Sequence, residues 1–151
     1  MSRNLHYLFQ AHSEHIGKLR DIKTSGLVNI SDVSKVESRA LLFVMLDSLL
    51  HEHRKKYATP FNNLAGKKAL VHLVLIKHHW LPEQIESMTL PYLLLSVQDE
   101  LNYTNSSEGM RNYMDIKDWE SMTLSFEDIL EEEWNPAFSG QYLKSQPKPT
   151  Y

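Results

Sequence analysis

ALVHLVLI (69–76) is the stretch whose reading decides the fold class. It is rich enough in valine to pass for a buried strand, and an apolar run this short does not by itself separate strand from helix. A strand needs a partner, because a lone one leaves its backbone donors and acceptors unpaired. No other stretch of the 151 residues reads as that partner. The run is therefore assigned to a helix, and the chain to the all-α class.

The flanks agree. Leu5, Leu8, Phe9, His12, Ile16 and Leu19 recur at the spacing of one helix face. A loop around Gly26 follows. The next helix is expected to open at Ser34, with Glu37 three residues on in the reciprocal spacing of a capping box. From Ala40 to Leu50 it is apolar nearly all round, which predicts a central, buried element. Asp47 is the odd residue there and is expected at a polar rim. Thr59-Pro60 reads as cap and first position of the helix that carries 69–76, with Gly66 in its interior. Leu81-Pro82 opens a short helix, and Thr89 caps another through Leu90, Leu93, Leu94, Val97 and Leu101. NYTNSSEG (102–109) is a loop, and MRNYMDIKDW (110–119) is ambiguous. A last helix from Thr123 or Ser125 carries Phe126, Ile129, Leu130 and Trp134 and stops at Asn135-Pro136.

The expectation is a single compact domain of about five or six helices over 1–138, followed by a polar tail, 139–151. The helix at 34–56 should pack against 4–20, 60–79 and 90–101. Helices apolar on two sides also leave room for a homo-oligomer. The pentapeptide ESMTL occurs twice, at 86–90 and 120–124. It reads as one helix-start device used twice, a threonine cap followed by the first core leucine.

Composition narrows the function. There is no cysteine, which excludes disulfides and thiolate chemistry and fits a cytoplasmic setting. No apolar run approaches the roughly 20 residues of a membrane span. The N-terminal stretch carries histidines and a glutamate where a signal peptide needs an apolar core. Residues 1–79 hold 12 Lys and Arg against 6 Asp and Glu, whereas 80–138 hold 2 against 13. All eight histidines precede residue 80. The chain is basic in front and acidic behind.

Four constellations could carry chemistry. The histidines include His12 and His15 on one helix face and His72 and His79 nearly aligned, but no HExxH-type spacing is present, and no cofactor or metal is expected. LPEQIESMTLPYLLLSVQDEL (81–101) has the outline of a helix-turn-helix. Its second helix would offer Tyr92, Ser96, Gln98, Asp99 and Glu100, and acids repel the phosphate backbone, so a nucleic-acid partner is not expected. HEHRKK (51–56) with Lys67, Lys68 and Lys77 reads as pairing with the acidic half of the same chain. Glycine-rich phosphate loops and nucleophile motifs are missing, so the balance leans away from an enzyme. Glu127, Asp128, Glu131, Glu132 and Glu133 would crowd the C-terminal end of the last helix, where the macrodipole makes each mildly unfavourable. Acids placed against stability suggest a surface meant for a basic protein partner.

KHHWLPEQIESMTLPYLLLSVQDEL (77–101) resembles a segment of small, mostly uncharacterised helical proteins of enterobacterial prophages, on the strength of Trp80 and Pro82, Met88-Thr89 and the leucine-rich run ending in Asp-Glu-Leu. The resemblance implies a phage-associated accessory protein, an adaptor or inhibitor, of all-α fold. It carries no site residues across.

Overall fold

The computed structural model describes residues 2–143. The chain is all-α. Among the described residues seven α-helices follow one another: α1 (Ser2–Leu19), α2 (Ile30–Tyr57), α3 (Lys67–His78), α4 (Pro82–Glu86), α5 (Leu90–Ser96), α6 (Glu108–Ile116) and α7 (Ala137–Tyr142). Single 3-10 turns form at Gln98–Glu100 and Trp119–Ser121. Among the described residues no strand forms, and one isolated bridge joins Thr59 to Asn62. Residues 69–76 are helical within α3. Ala69, Leu70, Leu73 and Val74 form its buried stripe, the spacing of one helix face.

At 28 residues α2 is the longest element and supplies more core side chains than any other, among them Val36, Ala40, Phe43, Val44, Leu46 and Leu50. It starts earlier than the Ser34–Glu37 spacing suggests. Asn29 is the cap, its side-chain oxygen accepting from the Asp32 N–H at 3.1 Å, so Ser34 lies one turn inside. Arg54, Lys55 and Lys56 complement the dipole of its last turn. The helices that chiefly cover α2 are α1, α3 and α6, and α5 packs chiefly on α3.

The start of α3 is corrected. Thr59-Pro60 does not restart a helix. Its hydroxyl accepts from the N–H groups of Phe61 and Asn62, and Asn62 and Asn63 accept from the N–H groups of Leu64 and Ala65. These local side-chain bonds compete with helix and hold a turn. Leu64 and Gly66 then take positive φ, 53° and 61°, and α3 begins only at Lys67. Gly66 is thus a cap and not a helix-interior residue. At the other end of α1, Gly17 has a steric purpose: a Cβ there would sit 2.9 Å from the Ile22 carbonyl oxygen, where the chain folds back.

The expected helix over 123–134 does not form. Phe126, Ile129 and Trp134 do turn toward the core, but on an irregular strap, and Leu130 is only half-buried. The reason is competition for carbonyls. The Phe126 and Asp128 carbonyl oxygens accept from the Arg39 guanidinium at 3.0 Å each, and that of Asp128 also accepts from Arg20 at 2.9 Å. Carbonyls held this way are not free for the helical i to i+4 ladder. Asn135-Pro136, expected as a stop, is instead a start: Asn135 accepts from the Ala137 N–H at 3.0 Å as α7 begins. A boundary at 138/139 would cut α7, which packs on α1, so the helical domain reaches at least Leu143. The remainder of the expected tail, 144–151, lies outside the described residues.

The two ESMTL copies share a device, though not the one expected. Thr89 precedes α5 without a side-chain cap bond, and Thr123 precedes no helix. What recurs is the ending of the preceding turn. The Ser87 hydroxyl donates to the Gln84 carbonyl at 2.9 Å and that of Ser121 to the Asp118 carbonyl at 2.8 Å, while Met88 and Met122 anchor half-buried against the core. The pentapeptide closes a helical turn.

Candidate functional site

The strap 123–136 brings together the charges that matter. Glu133 is completely buried, and its carboxylate meets two arginines: Arg20 Nε at 2.9 Å from one oxygen, Arg20 Nη2 at 3.0 Å and Arg39 Nη1 at 2.8 Å from the other. The Leu130 N–H donates to the same carboxylate at 2.6 Å. Arg20 also lies over the Phe126 ring, 3.8 Å from its centroid, and reaches Asp128 at 3.1 Å. The hydrogen bonds with Glu133 raise the Arg20 pKa, whereas burial lowers that of Arg39. The Arg20 guanidinium holds Asp128 below the usual carboxylate range.

Beside this clamp lies a second buried polar group. Asp47, expected at a rim, is 1% exposed in the core. Its two oxygens accept from His12 Nε2 at 2.7 Å and from the Trp134 indole N–H at 2.9 Å. With the carboxylate oxygen as acceptor, His12 Nε2 carries the hydrogen of this bond. Three elements, α1, α2 and the strap, are thereby tied at one point.

Of the five acids expected to face a partner, Glu133 is sealed inside the clamp and Asp128 is paired through one oxygen, with 65% of its side chain still exposed. Glu131 caps α5, both its oxygens accepting from the Leu90 N–H at 2.8 and 3.0 Å. Glu127 and Glu132 are exposed and make no ion pair among the described residues. The argument from the helix dipole falls with the helix. A different one replaces it: 118–143 contains seven carboxylates and no Lys or Arg. Arg20 and Arg39 were missed by inspection, and Glu133 was expected at the surface; one signal was present. Arg39 borders and Asp47 interrupts the apolar run of α2, and a charge on a buried face implies a buried partner.

The outward face of α5 shows Tyr92 and Leu95, and this seven-residue helix carries no Lys or Arg. His12 and His15 do face one way, but His12 is taken by Asp47 and His15 by the Glu132 carbonyl at 2.6 Å. Among the described residues no three His, Cys, Asp or Glu side chains come together as a metal site would need. Of the basic patch, Lys77 pairs with Asp99 of the acidic half at 2.6 Å, Lys55 pairs with Glu52, and Arg54 binds the carbonyls of Leu64 and Gly66. No helix of the described residues is long and apolar enough to cross a membrane.

His53 and His72 face each other across α2 and α3, Nε2 to Nδ1 at 2.8 Å, with the Tyr57 ring against both. Burial, then the charges of His72, Arg54 and Lys56, push His53 down to about 4 from 6.5. In acid the unfolded chain binds a proton that the folded chain refuses. The stabilisation is complete above about pH 6.5 and is lost as pH falls toward 4, by at most about 3 kcal/mol. Urea midpoints measured down this range should fall, and His53→Gln should flatten the slope; an unchanged slope would refute the assignment to His53.

No family model matches the chain, and no curated protein or solved structure matches it.

Proposed function

We propose that this chain is a non-enzymatic, phage-associated accessory protein of the cytoplasm, an adaptor or inhibitor that binds a basic protein partner through the acidic strap. One observation carries the proposal. Between residues 118 and 143 there are seven carboxylates and no Lys or Arg, and the two arginines that approach them engage only Glu133 and Asp128. Glu127 and Glu132, with Glu131 and the free oxygen of Asp128, leave an anionic surface on a backbone that the clamp holds rigidly. Charge of one sign on a fixed frame speeds encounter with an oppositely charged partner and selects against acidic ones.

The test is capture by the immobilised chain from an enterobacterial lysate, followed by affinity measurement for the basic protein retained. Glu127→Gln with Glu132→Gln should weaken that complex roughly tenfold, chiefly through a slower association rate, and added salt should do the same. Equal affinity of the doubly substituted chain, with its fold intact, would refute the assignment of these residues.

A further inference from the structure

A cleft of about 700 Å³ lies between the C-terminal half of α2, the turn before α3, and α7. Its volume suits a small molecule. Arg54 and His51 enter it from α2, Asn63 and Gly66 from the turn, Ser139 and Leu143 from α7. It touches the strap at Pro136 but is lined by none of the strap's carboxylates, and it takes no part in the function proposed above.

Its lining is cationic and donor-rich. The Arg54 guanidinium is fixed in direction, with Nε donating to the Leu64 carbonyl at 2.7 Å and Nη2 to the Gly66 carbonyl at 2.9 Å. Nη1 has no partner among the described residues, and Arg54 makes no ion pair among them. This differs from Arg20 and Arg39, whose charges meet carboxylates. His51 is only 9% exposed, yet its ring makes no hydrogen bond among the described residues. The ring nitrogens are not sealed in, and a group that enters the cleft can bond to them. Asn63 uses its oxygen on the Ala65 N–H, so its amide N–H₂ remains available. The 12-residue α3 begins at this cleft, where Gly66 offers no side chain to cap it, and the dipole there favours negative charge. No Asp or Glu lines the cleft.

We propose that this cleft binds the oxyanion of a small molecule, a phosphate ester or a carboxylate, between the free edge of Arg54, the His51 ring and the Asn63 amide. The planar guanidinium supplies charge and a fixed pair of donors, and the two neighbours complete the oxygen shell. Burial keeps the His51 pKa below its ordinary value, so at neutral pH the ring is an uncharged group with one N–H to donate.

The test titrates the full chain, at fixed ionic strength, with inorganic phosphate and separately with acetate, following backbone amides and histidine rings by NMR. Saturable shifts centred on His51, Gly66 and Gly140 are expected, with a dissociation constant on the order of 1 mM for such fragments. Response to phosphate alone assigns a phosphate ester, response to acetate alone a carboxylate, and response to both an oxyanion of either kind. His51→Gln and Asn63→Asp, the second of which keeps an oxygen for the Ala65 N–H while removing the amide donors, should each raise the dissociation constant roughly tenfold. Absence of saturable shifts at these residues with either probe, or unchanged affinity in both variants, would overturn the proposal.

Discussion

Glu133→Gln is expected to destabilise the chain by about 3–5 kcal/mol, the usual cost of removing one partner from a buried ion pair. The substitution changes shape very little. What it removes is the charge that holds Arg20 and Arg39 side by side, with Arg39 only 4% exposed. Two guanidinium groups would then face a neutral amide that has one oxygen to offer and an N–H₂ that points donors at donors. Out of a typical total of 5–15 kcal/mol, that loss would leave the fold marginal. Urea denaturation measures it directly, with Glu132→Gln as the comparison. That exposed neighbour should change stability by no more than about 0.5 kcal/mol. Similar midpoints for the two variants would mean that the clamp contributes nothing. A double-mutant cycle with Arg39→Met would separate pair energy from the cost of the stranded charge, and should show strong coupling.

Asp47→Ala should be comparably severe, on the order of 3–5 kcal/mol, for a related reason. The carboxylate is the acceptor for both His12 and Trp134, and all three side chains are buried. Without it the indole and imidazole N–H groups lose their partner inside a closed core, and a cavity opens beside Phe43, whose ring lies 5.6 Å from that of His12. The strap would lose one of its buried fastenings. A red-shifted Trp134 fluorescence in the folded variant would report water reaching the indole. A loss under about 1 kcal/mol with unchanged fluorescence would show that the triad is not a fastening.

These two sites mark the division between what inspection of the chain recovered and what it did not. The class of fold was legible because it depends on local spacing. The stripe of Leu5, Leu8, Phe9 and Ile16 and the nearly all-apolar 40–50 segment each describe a helix whatever surrounds them. The choice at 69–76 was also sound, since the absence of any second strand is itself a property of the sequence. The strap was not legible. Phe126, Ile129, Leu130 and Trp134 have helical spacing, and nothing nearby forbids a helix. Arg20 and Arg39, 87 to 113 residues away in the chain, take its carbonyls and its buried carboxylate. The separation of basic front from acidic rear was visible, but its meaning was split. Part of it is consumed inside the molecule by Arg20, Arg39 and Lys77, and part is left outside at Glu127 and Glu132. The cleft had still less signal, because His51, Asn63 and Ser139 belong to three separate segments that meet only after folding.

By itself the sequence determined that this protein is helical and that α2 would be its core, because side-chain periodicity and the cost of unpaired backbone groups act over a few residues. Only the tertiary structure decided which of five neighbouring acids would be buried and which would face solvent. A carboxylate enters the interior where opposite charge is already held in reach of it, and that condition was met at Glu133 by arginines from α2 and the end of α1.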